Sequence, residues 1–256
     1  MVIDRIKVML ASCGGSNFVL PPTELYNETW FLRLVLEWFS NQDLPEHRIS
    51  FHEEAKWFSE ALIPTAFLPR FRKDPLGESW THADGVIGHF EIGNKGRGDL
   101  SLSGDATQFI VLEAKMFSRL STGVTHASYF DQAARTVACM AETMYRALVL
   151  PGRLSTLGFY VLAPQSQIDK GVFDKEMKQE SIRAKVERRV KEYEGEKDQW
   201  FHDCFQPTLS HINIGCVSWE QLLVDIREHD PSYATKVSDF YKRCLLFNSP
   251  DLTKGK

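Results

Sequence analysis

The chain has no cysteine pair in metal-binding or disulfide spacing. Cys13, Cys139, Cys204, Cys216 and Cys244 are odd in number and widely scattered. This argues against a Cys-x-x-Cys zinc ribbon, an iron–sulfur cluster and a disulfide framework. No apolar run approaches the roughly 20 residues needed to span a membrane. The first ten residues, MVIDRIKVML, lack the long apolar core of a signal peptide. A cytoplasmic location in a reducing compartment, with no membrane partner, is the expectation. Positive charge is not in excess either: 30 Lys and Arg stand against 34 Asp and Glu, a net charge of -4. Nucleic-acid binding through bulk charge is thereby disfavoured, and such contact would need a local patch. Internal repeats and low-complexity tracts are also missing, which sets aside solenoids and disordered linkers.

What remains is ordinary globular composition. With 256 residues, 43% hydrophobic and 25% charged, the chain is long enough for one large α/β domain. Three segments are expected: an N-terminal arm over 1–22, a core over 23–165, and a C-terminal α/β extension over 166–256 packed on that core. A helix is predicted over 23–40, with Thr23 as its N-cap after Pro21-Pro22. Its apolar stripe of Phe31, Leu32, Val35 and Phe39 also carries Glu24 and Glu28. A second, aromatic and acidic helix is predicted over 52–62. Residues 80–92, with Gly85 and Gly88, read as a strand with a bend. Trp30, Trp38 and Trp57 read as core, and His82, His89 and His126 as packing or surface histidines without ligand spacing.

Residues 98–115 carry the densest chemistry. They read as two strands joined by the tight turn Ser103-Gly104-Asp105. The second is the apolar run 109–112, which ends in Glu113-Ala114-Lys115. Side chains alternate faces in a strand, so Glu113 and Lys115 share one. Two opposite charges ending a buried strand suggest a site, because unpaired buried charge is expensive. A helix over 128–148 follows, with Gln132 and Arg135 in its first turns and Pro151-Gly152 beyond its end. Further predictions are a buried strand over 156–163, a charged helix over 173–194, a strand over 212–217, and helices over 219–228 and 233–247.

The order helix, three strands, helix, strand, with an acid on the second strand and Glu-x-Lys ending the third, resembles the PD-(D/E)xK nuclease superfamily. The residues that carry the likeness are Gly98-Asp99, Glu113-Ala114-Lys115 and Asp131-Gln132-Ala133-Ala134-Arg135. The resemblance implies a restriction-endonuclease-like αβββαβ core, a mixed central sheet flanked by helices, with a helical C-terminal extension. It further implies a Mg²⁺- or Mn²⁺-dependent nuclease that hydrolyses DNA phosphodiester bonds in restriction or repair. Asp99, Glu113, Glu28 and the backbone carbonyl of Ala114 would bind metal. Lys115 would orient the attacking water or stabilise charge, Gln132 would orient the nucleophile or the carboxylates, and Arg97 and Arg135 would contact nucleic acid. Asp84 is a rival to Asp99, and Asp99 is preferred. The resemblance is compatible with a homodimer and with partner subunits of a larger system. The alternative is a nuclease-fold protein without catalysis that binds nucleic acid or a protein partner.

Overall fold

The structure is a computed structural model that describes residues 2–15, 17–94, 96–123 and 127–250. His126, and Lys95 of the glycine-rich loop before Asp99, lie outside the described residues. The arm begins with helix α1 (Val2–Ser12), which buries none of its residues. A 3₁₀ turn over Pro22–Glu24 follows. Helix α2 (Glu28–Phe39) starts later than the sequence suggests, because Asn27 caps it, its side chain accepting from the Trp30 N–H.

Residues predicted as a second helix form instead the strand β1 (Lys56–Ile63). The 80–92 strand divides into β2 (Thr81–Gly88) and β3 (Phe90–Ile92). The break falls at Gly88, whose φ is +144°, and a Cβ there would stand 2.1 Å from the Gln108 carbonyl oxygen. Only glycine fits that crossing. Strands β4 (Leu100–Leu102) and β5 (Gln108–Ala114) follow but do not pair with each other. β4 joins β3 in a two-stranded ribbon, and β5 joins β2. The expected 98–115 hairpin is therefore replaced by pairing of each strand with a different neighbour.

Helix α3 (Gln132–Arg146) has Asp131 as its N-cap, accepting from the Ala134 N–H. Strand β6 (Thr156–Ala163) is followed by helices α4 (Gln165–Asp169), α5 (Gln179–Lys191), α6 (Asp198–Trp200) and α7 (Gln206–His211). Strand β7 (Asn213–Ser218) and helices α8 (Trp219–His229) and α9 (Pro231–Asn248) complete the described chain. The main sheet has the order β1-β2-β5-β6-β7, antiparallel from β1 to β5 and parallel from β5 to β7. The result is a mixed five-stranded sheet flanked by helices. Among the described residues no helix is long and apolar enough to cross a membrane.

The sheet is buried on both faces, and every residue of β5 is buried. Alternation divides that strand: Phe109 and Val111 face the layer of α3 and α5, whereas Ile110, Leu112 and Ala114 face that of α2, α8 and α9. Glu113 thus points into the α3 layer, towards Gln132 at the helix start.

Candidate active site

Glu60, Asp84 and Glu113 stand on three successive strands of the sheet, and Asp84 and Glu113 share one cavity on the α3 face. β1 and β2 pair Ser59 with Gly85 and Ala61 with Ala83, so Glu60 lies opposite Asp84. The β2–β5 ladder ends at Gly85–Leu112, and continuing its register by one residue puts Asp84 opposite Glu113. Strands lie about 4.8 Å apart, so Asp84 is next to both acids while Glu60 and Glu113 are about 10 Å apart. One ion can therefore bridge neighbours but not all three. Consistently, among the described residues no set of three His, Cys, Asp or Glu side chains could hold a metal ion.

Where the β2–β5 ladder stops, the Asp84 carboxylate takes over. Its Oδ2 accepts from the Ala114 N–H at 2.8 Å. On the other edge of β5 the Lys115 N–H donates to the Leu162 carbonyl at 2.8 Å. The Lys115 carbonyl faces Pro164, which has no N–H, and the Trp219 indole supplies the missing donor at 2.9 Å. Successive residues point to opposite edges, so the Ala114 carbonyl is directed to the β2 side, near Asp84.

Glu113 is only 2% exposed. Its Oε1 accepts from Lys115 Nζ at 2.6 Å and from Gln132 Nε2 at 2.5 Å. Gln132 in turn accepts through Oε1 from the Ser121 N–H at 3.0 Å, tying the helix start to the preceding loop. Burial, and after it the Asp84 carboxylate, pushes the Glu113 carboxyl up to about 8, with Lys115 pulling the other way. Burial and Asp84 also raise Glu60, while Arg33 and His82 oppose the rise. Two acids compressed in this way, with hard oxygen donors and a carbonyl beside them, fit a small divalent cation such as Mg²⁺ or Mn²⁺. A cation would offset the repulsion that now holds the proton.

Asp84, Glu113, Lys115 and Gln132 line a cavity of about 360 Å³ with Glu78, Trp80, His82 and Arg135. Arg135 Nε and Glu78 Oε2 are buried there without hydrogen-bond partners. Glu78 Oε1 accepts from Arg189 Nε at 2.9 Å, and the wholly buried Arg189 also donates to Glu192 at 2.5 Å and to the Leu76 carbonyl. A buried cation of α5 thereby fixes the cavity wall.

The other predicted site residues lie elsewhere. Asp99 forms an isolated parallel bridge with Leu62, on the edge of β1 remote from β2. Leu62 pairs with His82, and the continued register puts His82 opposite Lys115, so three strand spacings, about 14 Å, separate Asp99 from Lys115. The Asp99 carboxylate packs against Gly93. Of the two rival aspartates, Asp84 is the neighbour of Glu113 and Asp99 is not. Arg97 is exposed on the same outer loop. Glu28 opens α2, which covers the opposite face of the sheet, and its charge acts on the Cys244 thiol of α9. Sequence reasoning does not reach Glu78 and Trp80 of the cavity, nor Glu60, which feels the Asp84 charge from β1. The helical reading of 52–62 hides Glu60, whose alignment with Asp84 follows only from the pairing of β1 with β2.

Comparison with family models, with curated proteins and with solved structures returns no match.

Proposed function

We propose that the protein is a Mg²⁺- or Mn²⁺-dependent nuclease of the PD-(D/E)xK type, acting on DNA phosphodiesters. The observation that carries this reading is the meeting of Asp84, Glu113, Lys115 and Gln132 at the open end of the β2–β5 ladder. The element order α2-β1-β2-β5-α3-β6, three antiparallel strands followed by a helix and a parallel strand, supports the restriction-endonuclease-like core. In this reading Asp84 takes the place given to Asp99, on the second strand of the core.

Asp84, Glu113 and the Ala114 carbonyl would hold the ion. When bound, it would offset negative charge on the phosphate and strengthen water as a nucleophile. Lys115, anchored on Glu113, sits where it can donate to a phosphate oxygen or to the attacking water. Gln132 fixes the Glu113 oxygen and the loop at Ser121 together. Arg135 gives the cavity a second cation for phosphate. Glu28 and Arg97 have no assigned part.

One observation favours the non-catalytic alternative: Lys115 and Gln132 both occupy Glu113 Oε1, and among the described residues no third acid completes a set. The test is incubation of plasmid and linear DNA with the protein in Mg²⁺, Mn²⁺ or EDTA. Metal-dependent cleavage that Glu113→Gln and Lys115→Ala each reduce at least about 100-fold is expected, the range found when a transition-state contact is removed. Full activity of either variant contradicts the assignment.

A further inference from the structure

The cavity beside Asp84 and Glu113 has a wall that the hydrolysis of a phosphodiester does not require. Trp80 lines it, half-buried, on the segment between β1 and β2. The Arg146 guanidinium lies 5.6 Å from the centre of its ring, and Glu142 holds that guanidinium at 2.7 Å. The indole thus packs against a cation that is itself held in place. Across the same cavity stand Arg135 and Glu78, whose buried Nε and Oε2 have no partners. Such orphaned groups cost about 1–3 kcal/mol each unless something pairs with them.

Shape points the same way. At about 360 Å³ the cavity falls near the lower bound of small-ligand sites, roughly 300–1,000 Å³. Glu113 lies at 2% exposure, so a reacting phosphate must enter a recess. A duplex presents bases already stacked and paired, and withdrawing one costs a few kcal/mol; a single strand or frayed end has little of that to lose. An aromatic face accepts any base, which suits a platform without sequence preference.

We propose that this cavity takes one unstacked nucleotide, its base against Trp80 and its phosphate towards Lys115 and Arg135, so that the substrate is single-stranded DNA or a strand end rather than continuous duplex. The inference rests on the nuclease reading above, and its test separates the two. Binding of fluorescein-labelled dT12, and of a duplex closed by loops at both ends, is followed by anisotropy in Ca²⁺. Wild type is expected to bind dT12 at least about 10-fold more tightly than the closed duplex. Trp80→Ala should weaken dT12 on the order of 10-fold, the loss expected when one base forfeits its aromatic platform. It should leave the closed duplex unchanged. Trp80→Phe keeps a ring and should retain most of the dT12 affinity, which covers the case in which the alanine variant folds poorly. Equal affinity for the two ligands, no binding of dT12, or wild-type dT12 affinity in a folded Trp80→Ala variant overturns the proposal. Cleavage of the closed duplex by wild type, lost in Glu113→Gln and unaffected by Trp80→Ala, would leave the nuclease reading standing while removing this inference. Absence of Glu113-dependent cleavage of any DNA would remove the nuclease reading itself.

Discussion

Replacing Glu113 by Gln should change how the stability of the metal-free protein depends on pH. Burial and the Asp84 carboxylate raise the Glu113 carboxyl to about 8 from an unfolded value of 4.5. Between those values the folded protein binds a proton that the unfolded chain releases. Stability from this group is therefore present at low pH and is lost as pH rises through the window. The loss is at most about 1.4 kcal/mol per pH unit, and on the order of 5 kcal/mol across the whole window. Glu113→Gln keeps the shape and cannot titrate. His47 and His52, both lowered chiefly by burial, push the curve in the opposite sense, and the raised Glu60 and Glu78 push it in the same sense. All four are common to both proteins, so they largely cancel in the difference between variant and wild type, which reports Glu113 with its partners Asp84 and Lys115. Urea unfolding in EDTA at half-unit steps from pH 5 to pH 9 gives that difference directly. The variant should gain on wild type steadily up to about pH 8 and then level. Parallel curves for the two proteins would refute the claim that Glu113 is held protonated by burial beside Asp84.

Three further outcomes follow from the same geometry. Saturating Mn²⁺ should abolish the high-pH loss in wild type, because the ion competes with the proton for the carboxylate pair, and calorimetry in buffers of different ionisation enthalpy should detect proton release on binding at pH 7. Arg189→Met should cost about 3–5 kcal/mol in the same urea assay, since it leaves Glu78 and Glu192 without their buried cation; a loss below 1 kcal/mol would contradict the network. Gly88→Ala should cost at least about 2 kcal/mol, because its φ of +144° and the Gln108 carbonyl both oppose a side chain, and unchanged stability would show that the strand crossing relaxes.

Much of the fold is legible where burial is complete or termini are marked. Thr156–Ala163 is a largely apolar run stopped by Pro164, and it forms β6 over those residues. The helix after the motif is bounded by Asp131 and by the proline beyond its end. β1 was not legible because it is an edge strand, half-buried, with Glu60 at φ 58° breaking its alternation. The pairing of β5 was not legible because nearness in sequence favours β4, whereas the sheet brings β2 alongside. That single choice decides the site. Read as a hairpin, 98–115 presents Asp99 to Glu113; paired with β2, β5 presents Asp84. Glu113, Lys115 and Gln132 come together under either pairing because one end of β5 and the start of α3 hold them.

Asp84 against Asp99 is accordingly the comparison that tests the account most directly. Asp84→Asn and Asp99→Asn are assayed side by side for Mn²⁺ binding by calorimetry and for Mg²⁺-dependent DNA cleavage. Asp84→Asn should lose both, and Asp99→Asn should retain metal affinity and turnover within about 3-fold of wild type, the scatter expected for a site about 14 Å from the chemistry. Loss of metal and cleavage in Asp99→Asn, with both retained in Asp84→Asn, would contradict the account.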